Sequence, residues 1–168
     1  MSQTEIEITL TQLSAESRQE IDAWVAKFPN DQKQSAVLAA LTIVQAANGG
    51  WLTEPLMDAV AEYLAMPKIA VYEVATFYSM YDLKPVGKYK IEVCNNISCM
   101  LCGCYKIINH LENKLGIKMG TTTADRKFTL RAAECLGACV GAPMMQIGDQ
   151  YYEHLTPETV DQILQELK

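Results

Sequence analysis

In the first half of the chain, apolar positions recur at helical spacing. Ile21, Trp24, Val25 and Phe28 fall on one face, behind Ser17-Arg18-Gln19-Glu20, which fits a capping box. Pro29-Asn30-Asp31 ends that helix. Val37, Leu38, Leu41 and Val44 mark a second helix, closed by Asn48-Gly49-Gly50. Thr53 and Pro55 suit the start of a third, with Leu56, Val60, Tyr63 and Leu64. A fourth opens near Pro67 and presents Ile69, Val74, Phe77 and Tyr78. Each helix buries one stripe only, so the four are expected to pack as a small bundle.

After Leu83-Lys84-Pro85-Val86-Gly87 the period changes to two. Tyr89, Ile91 and Val93 alternate with Lys88, Lys90 and Glu92, as in a half-buried strand. Ile107, Ile108, Leu111 and Leu115 return to helical spacing, with Gly116 as the C-cap. Phe128 and Leu130 alternate in a second strand, and Met144–Ile147 and Gln150–Tyr152 flank a Gly148-Asp149 hairpin turn. Thr156-Pro157 opens a last helix bearing Val160, Ile163, Leu164 and Leu167. The expected class is α+β: a helical domain over 1–83, then a small α/β sheet domain of thioredoxin type over 84–168.

Composition narrows the function. Hydrophobic residues make up 49% of the 168, yet no apolar run approaches the roughly 20 residues that span a bilayer. Met1-Ser2-Gln3-Thr4-Glu5 lacks the start of a secretory signal or transit peptide, so the chain is expected in the cytoplasm. A net charge of −6 without a basic cluster argues against nucleic acid. No G-x-G-x-x-G or Walker motif is present, so NADH is not expected to bind this chain. No Ser/His/Asp or Cys/His arrangement suggests a nucleophile.

All six cysteines lie between residues 94 and 139. A disulfide scaffold would be stapled along its length, so this clustering points to a metal or redox site. Cys94 and Cys99 form C-x4-C after the first strand, and Cys135 and Cys139 form C-x3-C after the second. Four thiolates on two such segments suit a 2Fe–2S cluster, whose charge of about −2 falls to about −3 on reduction and calls for backbone donors nearby. Spacing alone leaves three rivals open. Cys94, Cys99, Cys102 and Cys135 imitate the plant-type ferredoxin pattern, Cys99-Met100-Leu101-Cys102 is a dithiol CxxC, and four of the six could hold zinc.

Residues 94 to 147 closely resemble the thioredoxin-like 2Fe–2S subunit of bacterial respiratory complex I, the E subunit of the NADH:quinone oxidoreductase. The resemblance rests on Val86-Gly87-Lys88-Tyr89, Cys94 to Cys99, Phe128-Thr129-Leu130, Glu134-Cys135-Leu136-Gly137-Ala138-Cys139 and Ala142-Pro143-Met144-Met145-Gln146-Ile147. In the helical half it extends to Ile43-Val44-Gln45 and Val71-Tyr72-Glu73-Val74-Ala75-Thr76-Phe77-Tyr78. It implies one 2Fe–2S cluster on Cys94, Cys99, Cys135 and Cys139, with FMN and NADH on a partner subunit. It further implies one-electron transfer, docking by the N-terminal helices, and a place in the peripheral arm at the cytoplasmic face of the inner membrane. The cluster would stand beside the flavin as a transient one-electron store. Related subunits serve NAD-reducing hydrogenases and NAD-dependent formate dehydrogenases, which form the nearest alternative. A stand-alone dithiol oxidoreductase using Cys99 and Cys102 is the alternative of another class.

The sequence departs from the family pattern at Cys102 and Cys104, where Arg and Ser are common; both are read as buried or half-buried thiols at a helix start, without a role. One of Met144 and Met145 is assigned to core filling, the other to lining the cluster. Phe77 and Tyr78 are assigned to helical core, with a partner-facing surface as the alternative. His110 and His154 are read as surface residues, and Pro143 as either a cis proline or an ordinary strand-entry residue.

Overall fold

The computed structural model describes residues 13–167. The N-terminal stretch read above for targeting signals lies outside them. The chain divides into two compact units between Pro85 and Val86.

The first unit is helical. Helix α1 (Ala15–Val25) begins earlier than the Ser17 box implies: Ser14 is its N-cap, accepting the Ser17 N–H at 3.0 Å. Ser17 is instead buried inside the first turn, its Oγ bonded to that of Ser14 at 2.9 Å. Both serines offer a cap, and starting at Ser14 adds a hydrogen-bonded turn. Ile21 is fully buried, but Trp24 is 43% exposed and lies under the Lys27 ammonium, 3.4 Å from its ring centroid. Trp24 is therefore not part of the buried face expected of it.

Helix α2 (Val37–Ala47) follows a 3-10 turn, and Gly50 N–H closes its end on Gln45 O at 2.8 Å. Helix α3 (Glu54–Tyr63) is capped by Thr53, with Pro55 in its first turn, and α4 (Lys68–Phe77) starts after Pro67. Ile21, Leu41, Leu52, Val60 and Val71 form the fully buried centre. Asp58 ties α3 to α4 by accepting from Lys68 Nζ at 2.6 Å and from Tyr72 Oη at 2.7 Å. Burial first, then the bond to Asp58, pushes the Tyr72 phenol up to about 12. Phe77 and Tyr78, expected in the core, lie outside it: Phe77 is 80% exposed, stacked edge-on against Tyr78. An apolar helical stripe does not distinguish core from a surface awaiting cover.

The second unit is a four-stranded sheet, β1 (Tyr89–Cys94), β2 (Phe128–Ala133), β3 (Met145–Ile147) and β4 (Gln150–Tyr152), in the order β2-β1-β3-β4. β1 and β2 are parallel, pairing Tyr89 with Phe128 and Cys94 with Ala133. β3 runs antiparallel to both β1 and β4. Between β1 and β2 lie α5 (Ile97–Leu101) and α6 (Cys104–Leu115), and α7 (Pro157–Glu166) closes the unit. Gly116 caps α6 with φ 66°, and Thr156 with Thr159 forms a reciprocal capping box for α7.

Ile91, Val93, Leu130 and Met145 from the sheet pack with Ile107, Leu111 and Val160 from the helices. Thr129 breaks the expected alternation of β2: it is buried, accepting the Gly87 N–H at 2.6 Å and meeting Thr122 Oγ1 at 2.8 Å. His110 is half-buried and bonded to Asp161 at 2.8 Å, joining α6 to α7, while His154 is exposed. Among the described residues no helix is long and apolar enough to cross a membrane.

Candidate metal centre

Parallel pairing has a direct geometric result. Because β1 and β2 run the same way, the segments that follow Cys94 and Ala133 leave the sheet at the same end. The antiparallel β3 begins at that end, since Met145 pairs with Val93. Cys94 N–H donates to Met144 O at 3.1 Å, and Asn95 N–H continues the ladder to Ala133 O at 3.1 Å.

Cys94 is the buried last residue of β1. The chain then enters α5, capped by Asn96 Oδ1 accepting the Ile97 N–H at 2.7 Å. Cys99 thus sits on a helical turn. α5 is too short for a hydrophobic period to reveal; an Asn three residues before Cys99 is its one local signal.

Cys99 is 2% exposed and Cys104 is fully buried at the first position of α6. These two, with Cys94 and Met144, form a small cluster of sulfur-bearing side chains. Met144 is the methionine beside the cysteines, while Met145 fills the main core. Cys102, expected at least half-buried, is exposed.

The second cysteine segment packs onto the same cluster through Leu136 and Ala138. Cys135 and Cys139 alternate with them and are exposed. Gly137 turns the segment with φ 78°, a left-handed conformation in which a β-carbon is strained. Tyr151 Oη donates to Leu136 O at 2.7 Å, and His154 N–H donates to Gly141 O at 2.7 Å, holding this segment to β4 and to the connection that follows it. The Ala142–Pro143 peptide is cis.

The structure thus brings Cys94 and Cys99 together, adds Cys104, and leaves Cys135 and Cys139 exposed on the adjoining segment. Among the described residues no three His, Cys, Asp or Glu side chains converge as a metal cage. The donor set is nonetheless sulfur-only, on segments leaving one sheet end, and that soft chemistry fits an iron–sulfur cluster better than a hard cation. Burial first, then the hydrogen bond with Cys94, pushes the Cys99 thiol up to about 11; the Met144 backbone acts the other way. Burial and the neighbouring Cys94 also raise Cys104.

The model of the family "Thioredoxin-like [2Fe-2S] ferredoxin" matches residues 21–168. The NADH-quinone oxidoreductase E subunit of Rickettsia conorii is 51% identical over 144 residues, 86% of each chain. The second NADH-quinone oxidoreductase E subunit of Rhizobium meliloti is 42% identical over 151 residues, 90% of this chain and 88% of that one. The fold also matches an NAD+-reducing [NiFe]-hydrogenase in the H2-reduced state, with a TM-score of 0.69 at 21% identity, over 78% of this chain and 22% of that one. Thioredoxin-like in fold and rich in paired thiols at one sheet end, the chain belongs to the thioredoxin-like [2Fe-2S] ferredoxin family, among the NADH-quinone oxidoreductase E subunits.

Proposed function

We propose that this chain transfers single electrons in NADH:quinone oxidoreductase through one 2Fe–2S cluster held by Cys94, Cys99, Cys135 and Cys139. The observation that carries the reading is the exit of both cysteine pairs from the same end of the parallel β1–β2 pair. A bound 2Fe–2S cluster supplies a one-electron couple at that place. Cys94 and Cys99 furnish buried sulfurs, Cys135 and Cys139 furnish sulfurs at the surface, and Met144 and Leu136 keep water from the inner side.

The partner is the NADH- and FMN-binding subunit in the peripheral arm, at the cytoplasmic face of the membrane. Apolar side chains around the cysteines support a protein cover there: Val140 is 97% exposed, and Ile97 and Leu101 are exposed as well. The helical domain, 1–83, adds to the docking surface, and the domain over 84–168 holds the cluster. The rival dithiol chemistry suits the site poorly. An attacking thiol needs access and a lowered pKa, whereas Cys99 is buried with its pKa raised.

The test is the anaerobic visible and EPR spectrum of the full chain, before and after dithionite, beside Cys102→Ala and Cys139→Ala. Wild type and Cys102→Ala are expected to be red-brown and to bleach, with Cys139→Ala losing the native signal. Colour lost in Cys102→Ala but kept in Cys139→Ala would transfer the ligand set to the plant-type pattern. A wild type that stays colourless after reconstitution with iron and sulfide would overturn the cluster altogether.

A further inference from the structure

Of the six cysteines, Cys102 and Cys104 are left over by the proposed ligand set, and the structure treats them oppositely. Cys102 is exposed, whereas Cys104 has 0% exposure and packs in one cluster with Cys94, Cys99 and Met144. Cys104 is the first residue of α6, placed there by Gly103, whose φ of 90° turns the chain out of α5. Among these four residues the hydrogen-bonding side-chain atoms are all sulfurs. A cysteine thiol carries one weak donor, and a thiolate ligand is a better acceptor for it than a thioether.

We propose that Cys104 is a positioning residue for the cluster, its S–H donating toward the ligand sulfur of Cys94 or Cys99 and so raising the reduction potential. Reduction adds a negative charge to a sulfur-rich group. A donor aimed at a ligand sulfur stabilises the reduced form more than the oxidised one. An alanine in its place keeps the pocket apolar and removes the donor. A serine keeps a donor of the same valence and supplies a stronger one. The inference rests on the proposed ligation by Cys94 and Cys99.

EPR-monitored redox titration of the cluster-loaded full chain tests it in wild type, Cys104→Ala, Cys104→Ser and Cys102→Ser. The alanine variant is expected to titrate at a lower potential, its reduction equilibrium weakened severalfold; for a one-electron couple a tenfold change is about 59 mV. The serine variant should titrate at or above wild type, and Cys102→Ser should match it. An unmoved alanine variant, or alanine and serine falling together, overturns the proposal. So does loss of the cluster from both, which would make Cys104 a ligand. Should alanine alone fail to load, the serine potential decides: at or above wild type supports the donor, below it overturns it. A wild type without a 2Fe–2S signal defeats the underlying ligand assignment instead, so the two failures are distinguishable.

Discussion

An added methyl group at Gly87 would meet the Phe128 backbone at 2.8 Å and 2.9 Å, and these are main-chain atoms of a paired strand that cannot swing aside. The same residue donates its N–H to the buried Thr129 hydroxyl at 2.6 Å. Gly87→Ala should therefore displace the start of β1 from β2 and cost about 1–3 kcal/mol, the range for forced overpacking, measured by chemical denaturation. Single residues also mark what a linear pattern conveys and what it withholds. Thr53 and Gly116 are legible as caps because capping is decided within one turn of chain. Trp24 and Phe77 fall outside the core expected of them because a side chain's position on a helix face says nothing of what lies opposite. Cys104 looks idle in the sequence because its neighbours Cys94 and Met144 come from a strand end and a distant loop.

Among the elements, α7 depends on a polar clasp as well as on Val160 and Leu164. Asp161 accepts from His110 Nε2 at 2.8 Å and pairs with Lys114 at 3.2 Å, both from α6. The bond to His110 foremost, and then Lys114, holds the Asp161 carboxyl below the usual carboxylate range. A carboxyl with a lowered folded pKa contributes stability above its unfolded pKa of about 3.9, and that contribution vanishes as pH falls through the folded value. Wild type should thus melt above Asp161→Asn near neutrality, with the two melting temperatures converging in acid; a pH series of circular-dichroism melts reads the difference. The helices and strands themselves are largely legible, since 3.6- and 2-residue periods show wherever an element is long enough. α5 is not, having too few residues to display a period, and the parallel register of β1 and β2 leaves no local trace at all.

For the molecule as a whole, the two compact units are joined where Leu83, Lys84 and Pro85 are exposed. Limited chymotrypsin digestion is expected to cut first beside Leu83, releasing one fragment that carries α1–α4 and one that carries the sheet; a first cut within α3 or β1 would contradict two independent domains. The paired thiols point to a metal or redox site without any knowledge of the fold, but spacing leaves both its chemistry and the ligand choice open because it cannot report which thiols are buried together. Parallel pairing of β1 with β2 also sets an order in time. The helical unit rests on contacts between neighbouring segments and emerges first from the ribosome, whereas β1 must wait for β2 across α5, α6 and the turns beyond them. Closing that loop costs entropy before any pairing rewards it. Cys94 and Cys135 reach the same end of the sheet only after that closure, so the proposed ligand set is incomplete until β2 has paired, and cluster insertion is expected to follow that pairing.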